Sequence, residues 1–360
     1  MKVVVVGPYG HSGSVRKIVS EYATYLSQNK IDVHVITADK INKKEENYVH
    51  NLVQFNFNLY RLLPAIGDVV KKIKKINPDI IHVFGTFIPY SAISISVIKE
   101  FPTLLTVFGL AQKQIKYRRI GISDIINVIY EKLVMKNILH MTVESKCNKS
   151  ILQNYTRASV YVVPTGINIK EIRSILDYVD DSEVFDILYV GRLSREKGLD
   201  VLINSIKIVG QNFPDIVVKI AGAGPYEIEL KKLVRKLELE KNIQFLGYVQ
   251  EIEKFRYYKS CKIVVVPSRW DFSPITVNEA MACGKPVIVS DMTNSDLVIN
   301  GKTGYVFKTG DSKDLAEKIL SLLWNDHLMK RMSKKSLEIG KKLDWEKIVE
   351  AYIEIYNDIQ

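Results

Sequence analysis

Residues 269–291, RWDFSPITVNEAMACGKPVIVSD, hold two carboxylates, Asp271 and Glu279, eight positions apart. Two carboxylates in one short segment suit glycoside hydrolysis, where one serves as acid and the other as base or nucleophile. They also suit a grip on a polyhydroxylated ligand. Pro274 rules out a continuous helix from 271 to 279. Asp271 is therefore expected in a loop, and Glu279 in the early turns of a helix predicted over 275–283, which Gly284 stops. Even in one helix, eight positions would turn the pair about 80° apart, a poor facing geometry. The spacing favours holding a ligand. Asp271 would accept sugar hydroxyls, the backbone around Phe272, Ser273, Pro274 and Ile275 would meet phosphate or sugar oxygens, and Glu279 would clasp a ribose diol. A surface aspartate followed by a helix-capping glutamate is the alternative.

Three further loops could meet an anion. In VGRLSREKGLD, 190–200, a strand ends at Val190, Gly191 permits a turn, and Arg192, Arg195 and Lys197 cluster before a helix. Guanidinium forks, a mobile ammonium and helix-start amides together suit a diphosphate; a solvated basic loop is the alternative. AGAGPYE, 221–227, offers Gly222 and Gly224 in a turn that opens another helix, with Pro225 at an early helical position, and suits a ligand-facing turn and a structural one equally. GPYGHSGS, 7–14, has glycines at 7, 10 and 13 after a buried strand. It fits neither a dinucleotide fingerprint nor a Walker loop, and phosphate contact and a plain tight turn are equally compatible with it.

These loops need strands and helices to position them. At 360 residues the chain predicts two domains, and its 47% apolar and 25% charged residues are those of a globular protein. Short β-branched runs alternate with periodic segments. Strands are expected at 2–6, 32–37, 52–56, 80–84, 103–108, 140–144 and 159–163, then at 185–190, 216–221, 243–246, 262–266, 286–289 and 305–307. Helices are expected near 14–28, 64–76, 88–99 and 123–137, then 198–210, 225–238, 251–259, 275–283, 311–323 and 327–340. Such alternation predicts two parallel sheets covered on both faces, joined by a charged linker over about 166–184. Open sheets of this kind bind ligands beyond the carboxyl ends of their strands, so two facing domains would share an active-site cleft.

The net charge of +11 is lopsided: residues 1–165 carry 22 Lys/Arg against 11 Asp/Glu, and the rest 29 of each. A basic first half implies an anionic partner, although solvated helix backs such as KKIKK at 71–75 account for part of it. Three scattered cysteines, Cys147, Cys261 and Cys283, read as reduced packing residues and not as disulfides or zinc ligands. A strand at residues 2–6 leaves no room for a signal peptide, and no apolar window is long enough to span a membrane. The expected location is therefore cytoplasmic.

VGRLSREKGLD, AGAGPYE, FLGYVQEIEKFRYYKSCKIVVVPS and DFSPITVNEAMACGKPVIVSD, in this order and spacing, resemble retaining glycosyltransferases of family 4. VVPTGIN at 162–168 is similar to that family's passage between domains. The resemblance is strong over 160–310 and looser over 1–150. It implies a GT-B fold, two doubly wound Rossmann-like domains facing each other across a cleft. Residues 1–165 would bind the acceptor, 166–343 the nucleotide sugar, and a terminal helix over 344–360 would pack back on the first domain.

Carried over by position, Arg192 and Lys197 would neutralise the donor diphosphate and Glu279 would hold the ribose. Asp271, a shorter carboxylate where the family has its first glutamate, would touch the transferred sugar. Gly13 would let a loop approach the phosphates. Departures exist: TVFG carries Phe108 where the family commonly has His, and HVFG keeps His82 but carries Phe84, which leaves His11 as a substitute candidate for the sugar-contacting imidazole. The implied chemistry needs no side-chain nucleophile, because the leaving diphosphate oxygen serves as base for the incoming hydroxyl. No D-x-D occurs, so neither a metal nor another cofactor is expected.

Expected partners are a nucleotide sugar and a glycan or lipid-linked acceptor, in cell-surface glycan assembly. An anionic membrane surface is a further candidate. Segment 112–139 joins a basic run to a helix capped by Ser123 and Asp124, whose Ile125, Ile126, Ile129, Leu133 and Val134 share one face; ordinary packing on the domain's own sheet is the alternative. Rival classes are a glycan phosphorylase or hydrolase, a nicotinamide oxidoreductase, whose fingerprint the first loop lacks, and a non-enzymatic binder of anionic polymers. No nucleic-acid-binding module appears, so no nucleic acid is expected.

Overall fold

The structure is a computed structural model that describes residues 1–10, 14–39, 51–54, 62–114, 121–178, 184–272 and 274–360. The chain divides into two compact units, one of Met1–Gly166 with Trp345–Gln360 and one of Ile167–Asp344.

The first unit is a seven-stranded parallel sheet in the order β3-β2-β1-β4-β5-β6-β7. Its strands are β1 (Lys2–Val6), β2 (Asp32–Thr37), β3 (Asn51–Gln54), β4 (Ile80–Phe84), β5 (Thr103–Thr106), β6 (His140–Val143) and β7 (Ser159–Val162). Val3 to Val6 are fully buried, the unbroken apolar run that a parallel strand covered on both faces requires. The tail folds into a helix, Trp345–Ile359, whose Trp345, Ile348, Val349, Tyr352, Ile355 and Tyr356 are buried. Trp345 Nε1 donates to Glu21 Oε2 at 2.7 Å, and its ring lies within 6.5 Å of the Tyr25 ring centroid.

The second unit is a six-stranded parallel sheet in the order β10-β9-β8-β11-β12-β13. Its strands are β8 (Phe185–Val190), β9 (Val218–Ala221), β10 (Ile243–Gly247), β11 (Cys261–Val266), β12 (Val287–Ser290) and β13 (Gly304–Phe307). Side chains alternate across it: Ile187, Ile263, Val265 and Ile288 join one core, while Leu188, Val264, Val266, Val287 and Val289 join the other. In both sheets the order reverses direction beside the first strand, between β1 and β4 and between β8 and β11. These are the switch points at which doubly wound sheets leave a crevice.

The expected linker is corrected in part. Residues 169–178 form a helix, Ile169–Tyr178, with Ile169 and Ile172 buried. Asn168 Oδ1 accepts the Glu171 N–H at 2.9 Å as its N-cap, and Ile172, Ile175 and Leu176 give it an apolar face on the core. A short helix, Lys146–Leu152, was not expected. The strand expected at 52–56 runs over Asn51–Gln54, and its remainder lies outside the described residues.

Candidate functional site

The carboxyl ends of β8 and β11 carry a polar cluster. After β8 the chain turns at Gly191 and runs through Arg192 into a single 3-10 turn, Arg195–Lys197, before the helix Leu199–Val209. The Tyr189 hydroxyl, on a buried side chain, donates to Arg192 O at 2.9 Å and pins that turn from below. Burial raises the phenol's pKa, with the charges of Asp271 and Glu196 adding to the shift. Arg192 itself is exposed, and its guanidinium pairs with no carboxylate among the described residues.

Three glycines let neighbouring loops touch. A Cβ on Gly222 would sit 1.8 Å from Gly191 O, one on Gly224 2.3 Å from Leu193 O, and one on Gly198 2.0 Å from Pro267 O. Gly222 and Gly198 also take positive φ, 142° and 66°. Gly191 N–H donates to Ala221 O and Leu193 N–H to Ala223 O, both at 3.0 Å, so the loops after β8 and β9 are hydrogen-bonded side by side. The sequence left Gly222 and Gly224 open between a ligand-facing and a structural turn; in the structure the space of their missing side chains is taken up by loop–loop contact.

Lys197 and Asp271, 74 residues apart, meet here. The Lys197 ammonium donates to Asp271 Oδ2, and both side chains are about a fifth exposed, 25% and 15%. Asp271 is held from several directions. Ser268 Oγ donates to Oδ2 at 3.1 Å and the Phe272 N–H to Oδ1 at 3.0 Å, while Asn294 Nδ2 donates to the Asp271 carbonyl at 2.9 Å. The Phe272 amide is thus bonded to the neighbouring carboxylate and the Phe272 ring is buried. Pro274 stands as N-cap of the helix Ile275–Ala282, at whose start the Val277 N–H closes on Pro274 O. Gly13 and Ser273, and His11 with them, lie outside the described residues.

Glu279 sits one helical turn further on, and its side chain is only 9% exposed. Lys254 Nζ donates to Oε1 at 2.6 Å and the Tyr258 hydroxyl to Oε2 at 3.0 Å. Lys254 and Tyr258 are i and i+4 on the helix Glu251–Ser260, so one helix face presents both donors. The same charge and bond raise the Tyr258 pKa after burial. Neither residue was singled out in the sequence, although the i, i+4 spacing of a lysine and a tyrosine was there to be read.

Arg269 was also missed. Its guanidinium forks onto Asp200 at 2.8 and 2.5 Å, and Nη1 also reaches Arg195 O at 2.8 Å. Its backbone N–H donates to Glu196 O at 2.7 Å. Arg269 therefore staples the loop after β11 to the turn that carries Lys197.

In the first unit the same position, at the carboxyl ends of β1, β2 and β4, holds an open cavity of about 550 Å³ lined by Val15, Arg16, Asp39, Phe87, Ile88 and Tyr90 among others. His82 does not reach it. That imidazole is fully buried, with Nδ1 hydrogen-bonded to the Tyr356 and Tyr22 hydroxyls at 2.6 and 3.1 Å and Nε2 to Thr106 Oγ1 at 2.7 Å. Burial lowers its pKa well below the usual range. Among the described residues no cluster of His, Cys, Asp and Glu could hold a metal ion.

The doubly wound architecture of the two sheets agrees with comparison to known proteins. Residues 15–171 match the Glycosyltransferase Family 4 model and residues 169–338 the model of glycosyl transferases group 1. The chain belongs to glycosyltransferase family 4. As a member it is a retaining, metal-independent glycosyltransferase with the GT-B fold. It is 28% identical to an uncharacterized glycosyltransferase of Methanocaldococcus jannaschii, over 91% of this chain and 90% of that one. It is 25% identical to the capsular polysaccharide biosynthesis glycosyltransferase CapM of Staphylococcus aureus, over 91% of each. The structure of Anabaena HepE in complex with UDP superposes with a TM-score of 0.79 at 18% identity, over 99% of this chain and 100% of that one.

Proposed function

We propose that this family 4 enzyme moves a hexosyl group from a uridine diphosphate sugar to a hydroxyl of a glycan or lipid-linked acceptor in cell-surface glycan assembly. The reaction takes place on the cytoplasmic side of a membrane. The second unit binds the donor, and the acceptor enters at the first unit's cavity. The observation that carries the reading is the meeting of Lys197 and Asp271 at the β8/β11 switch point, on the same loop as Arg192, whose guanidinium pairs with no carboxylate among the described residues. Two cations and one carboxylate match the two parts of a nucleotide sugar. Arg192 and Lys197 take the diphosphate, whose charge grows as the bond from the anomeric carbon to phosphate oxygen breaks. Asp271 accepts hydrogen bonds from the sugar's hydroxyls, Glu279 accepts from the ribose, and the start of the Ile275–Ala282 helix faces the phosphates. The acceptor oxygen bonds to the anomeric carbon on the face the diphosphate leaves, and its proton passes to a diphosphate oxygen. Catalysis is then positioning plus stabilisation of developing negative charge. UDP is supported by the HepE complex and glycan assembly by the similarity to CapM.

A thermal-shift panel of UDP, GDP, ADP and their sugars, followed by transfer assays with the best binder, tests this. UDP is expected to raise the melting temperature and its sugar to be consumed. Absence of any shift with all three diphosphates at millimolar concentration overturns the donor site.

A further inference from the structure

The helix Ile122–Asn137 of the first unit has two faces of different chemistry. Its inner face is tied to the loops that follow β4 and β5. Buried Glu131 accepts from Thr86 Oγ1 at 3.2 Å and from the Ala111 N–H at 2.6 Å. Asn127 Oδ1 accepts the Ile88 N–H at 3.0 Å, which holds one wall of the 550 Å³ cavity. Asp124, Val134 and Met135 are buried on this side too. Asp124 Oδ2 accepts the Gly121 N–H at 2.9 Å, so the helix starts at Ile122 and its acid reaches back to the N-cap.

The outer face is apolar and uncovered. Ile122 is 75% exposed, Ile125 54%, Ile129 53% and Leu133 43%. Steps of three and four residues put all four in one stripe. The sequence placed Val134 on the same face; it lies on the inner one. Packing of the stripe on the domain's own sheet is thereby ruled out. Beside the stripe stand Lys132 and Lys136, exposed and paired with no carboxylate among the described residues. The helix's two acids, Asp124 and Glu131, are both on the buried side. The unit that carries this helix has 23 Lys/Arg against 15 Asp/Glu, a net +8.

We propose that this stripe docks on an anionic membrane surface, with Ile122, Ile125, Ile129 and Leu133 entering the acyl boundary and Lys132 and Lys136 meeting lipid phosphates. Aliphatic side chains flanked by unpaired ammoniums are what an interfacial helix presents to anionic lipid. A second copy of the chain suits the face less well, since it would bring lysines against lysines with no acid between them. No helix among the described residues is long and apolar enough to cross a membrane, so attachment through this face is peripheral. Because the same helix holds the Ile88 backbone, docking would bring the acceptor cavity to the lipid surface. The inference deepens the assignment of the first unit to a lipid-linked acceptor and rests on that assignment only for its purpose, not for its test.

The test is flotation of the full chain with phosphatidylcholine vesicles, with and without phosphatidylglycerol, for the wild type, Ile125→Glu/Ile129→Glu and Lys132→Glu/Lys136→Glu. Both pairs are exposed, and unchanged melting temperature and UDP affinity verify that the variants fold. The wild type should float with phosphatidylglycerol vesicles, release as salt rises and stay behind with phosphatidylcholine alone. Each variant should lose about tenfold or more of its bound fraction. Failure of the wild type to float at low salt overturns the proposal, as does equal flotation of wild type and Ile125→Glu/Ile129→Glu. So does a wild-type dimer in sedimentation equilibrium that the isoleucine variant dissociates. Failure of the donor assignment would show as absent UDP binding with flotation intact.

Discussion

Replacing Lys197 with alanine probes the centre of the proposed site. The ammonium rests on Asp271, and with 25% and 15% of the two side chains exposed the pair lies between a solvated surface bridge and a buried one. Surface pairs contribute about 0–1 kcal/mol and breaking a buried pair costs about 3–5 kcal/mol. Asp271 keeps Ser268 Oγ and the Phe272 N–H as donors after the change. The folding cost should therefore be about 1–3 kcal/mol, read as a fall in urea midpoint. Catalysis should suffer more. Losing one group that stabilises charge developing on the diphosphate removes about 2.7–4 kcal/mol, or roughly 10²–10³ in kcat. Sugar transfer at saturating donor, with donor affinity measured separately by calorimetry, divides the effect. If the ammonium acts chiefly in the transition state, kcat falls and donor Kd changes little. Asp271→Asn in the same background completes a cycle. Residues in contact couple by about 0.5–3 kcal/mol, so the double variant should lose less than the two single losses together. A folded Lys197→Ala enzyme within about threefold of wild-type kcat/KM would refute the assigned role.

Two more outcomes follow from groups outside the reacting atoms. Arg269→Ala removes the fork on Asp200 and the bond to Arg195 O, and should lower kcat about tenfold by freeing the turn that carries Lys197. Added to Lys197→Ala it should cost almost nothing further in kcat, whereas a purely structural role would leave the two losses additive. His82 is neutral and buried in the folded unit, with its pKa depressed by desolvation, whereas in the unfolded chain it protonates near pH 6.5. The unfolded state then binds the extra proton, so stability is present above about pH 6.5 and is lost as pH falls below it, by up to about 1.4 kcal/mol per pH unit. Urea midpoints from pH 7.5 to 5 measure this, and His82→Phe should flatten the slope.

Most strands were legible in the sequence because parallel strands covered on both faces must be apolar runs, as KVVVV and KIVVV are. The helix Ile169–Tyr178 was harder to see. Its Lys, Glu, Arg and Asp read as linker charge, and only the Asn168 cap with Ile172, Ile175 and Leu176 marks it as a packed element. The site divides in the same way. Loops at the carboxyl ends of strands are local features, so the segments holding Arg192, Lys197, Asp271 and Glu279 could be found from glycine, proline and strand position. Which side chains pair across those loops depends on tertiary placement. Nothing along the chain sets Lys197 on Asp271 or Lys254 on Glu279.

The glycines show why local reading stops there. A glycine is needed where φ is positive or where something approaches closely, and sequence cannot say whether that something is ligand or backbone. At Gly222 and Gly224 it is the carbonyls of Gly191 and Leu193, and at Gly198 it is that of Pro267. These contacts bind the loops after β8, β9 and β11 into one layer, and Arg269 staples two of them again. A layer fixed by backbone contact would hold its cations still while charge develops on a leaving group, as the proposed mechanism requires. Gly198, Gly222 and Gly224 thereby fix where Arg192 and Lys197 begin, the two cations proposed to meet the diphosphate.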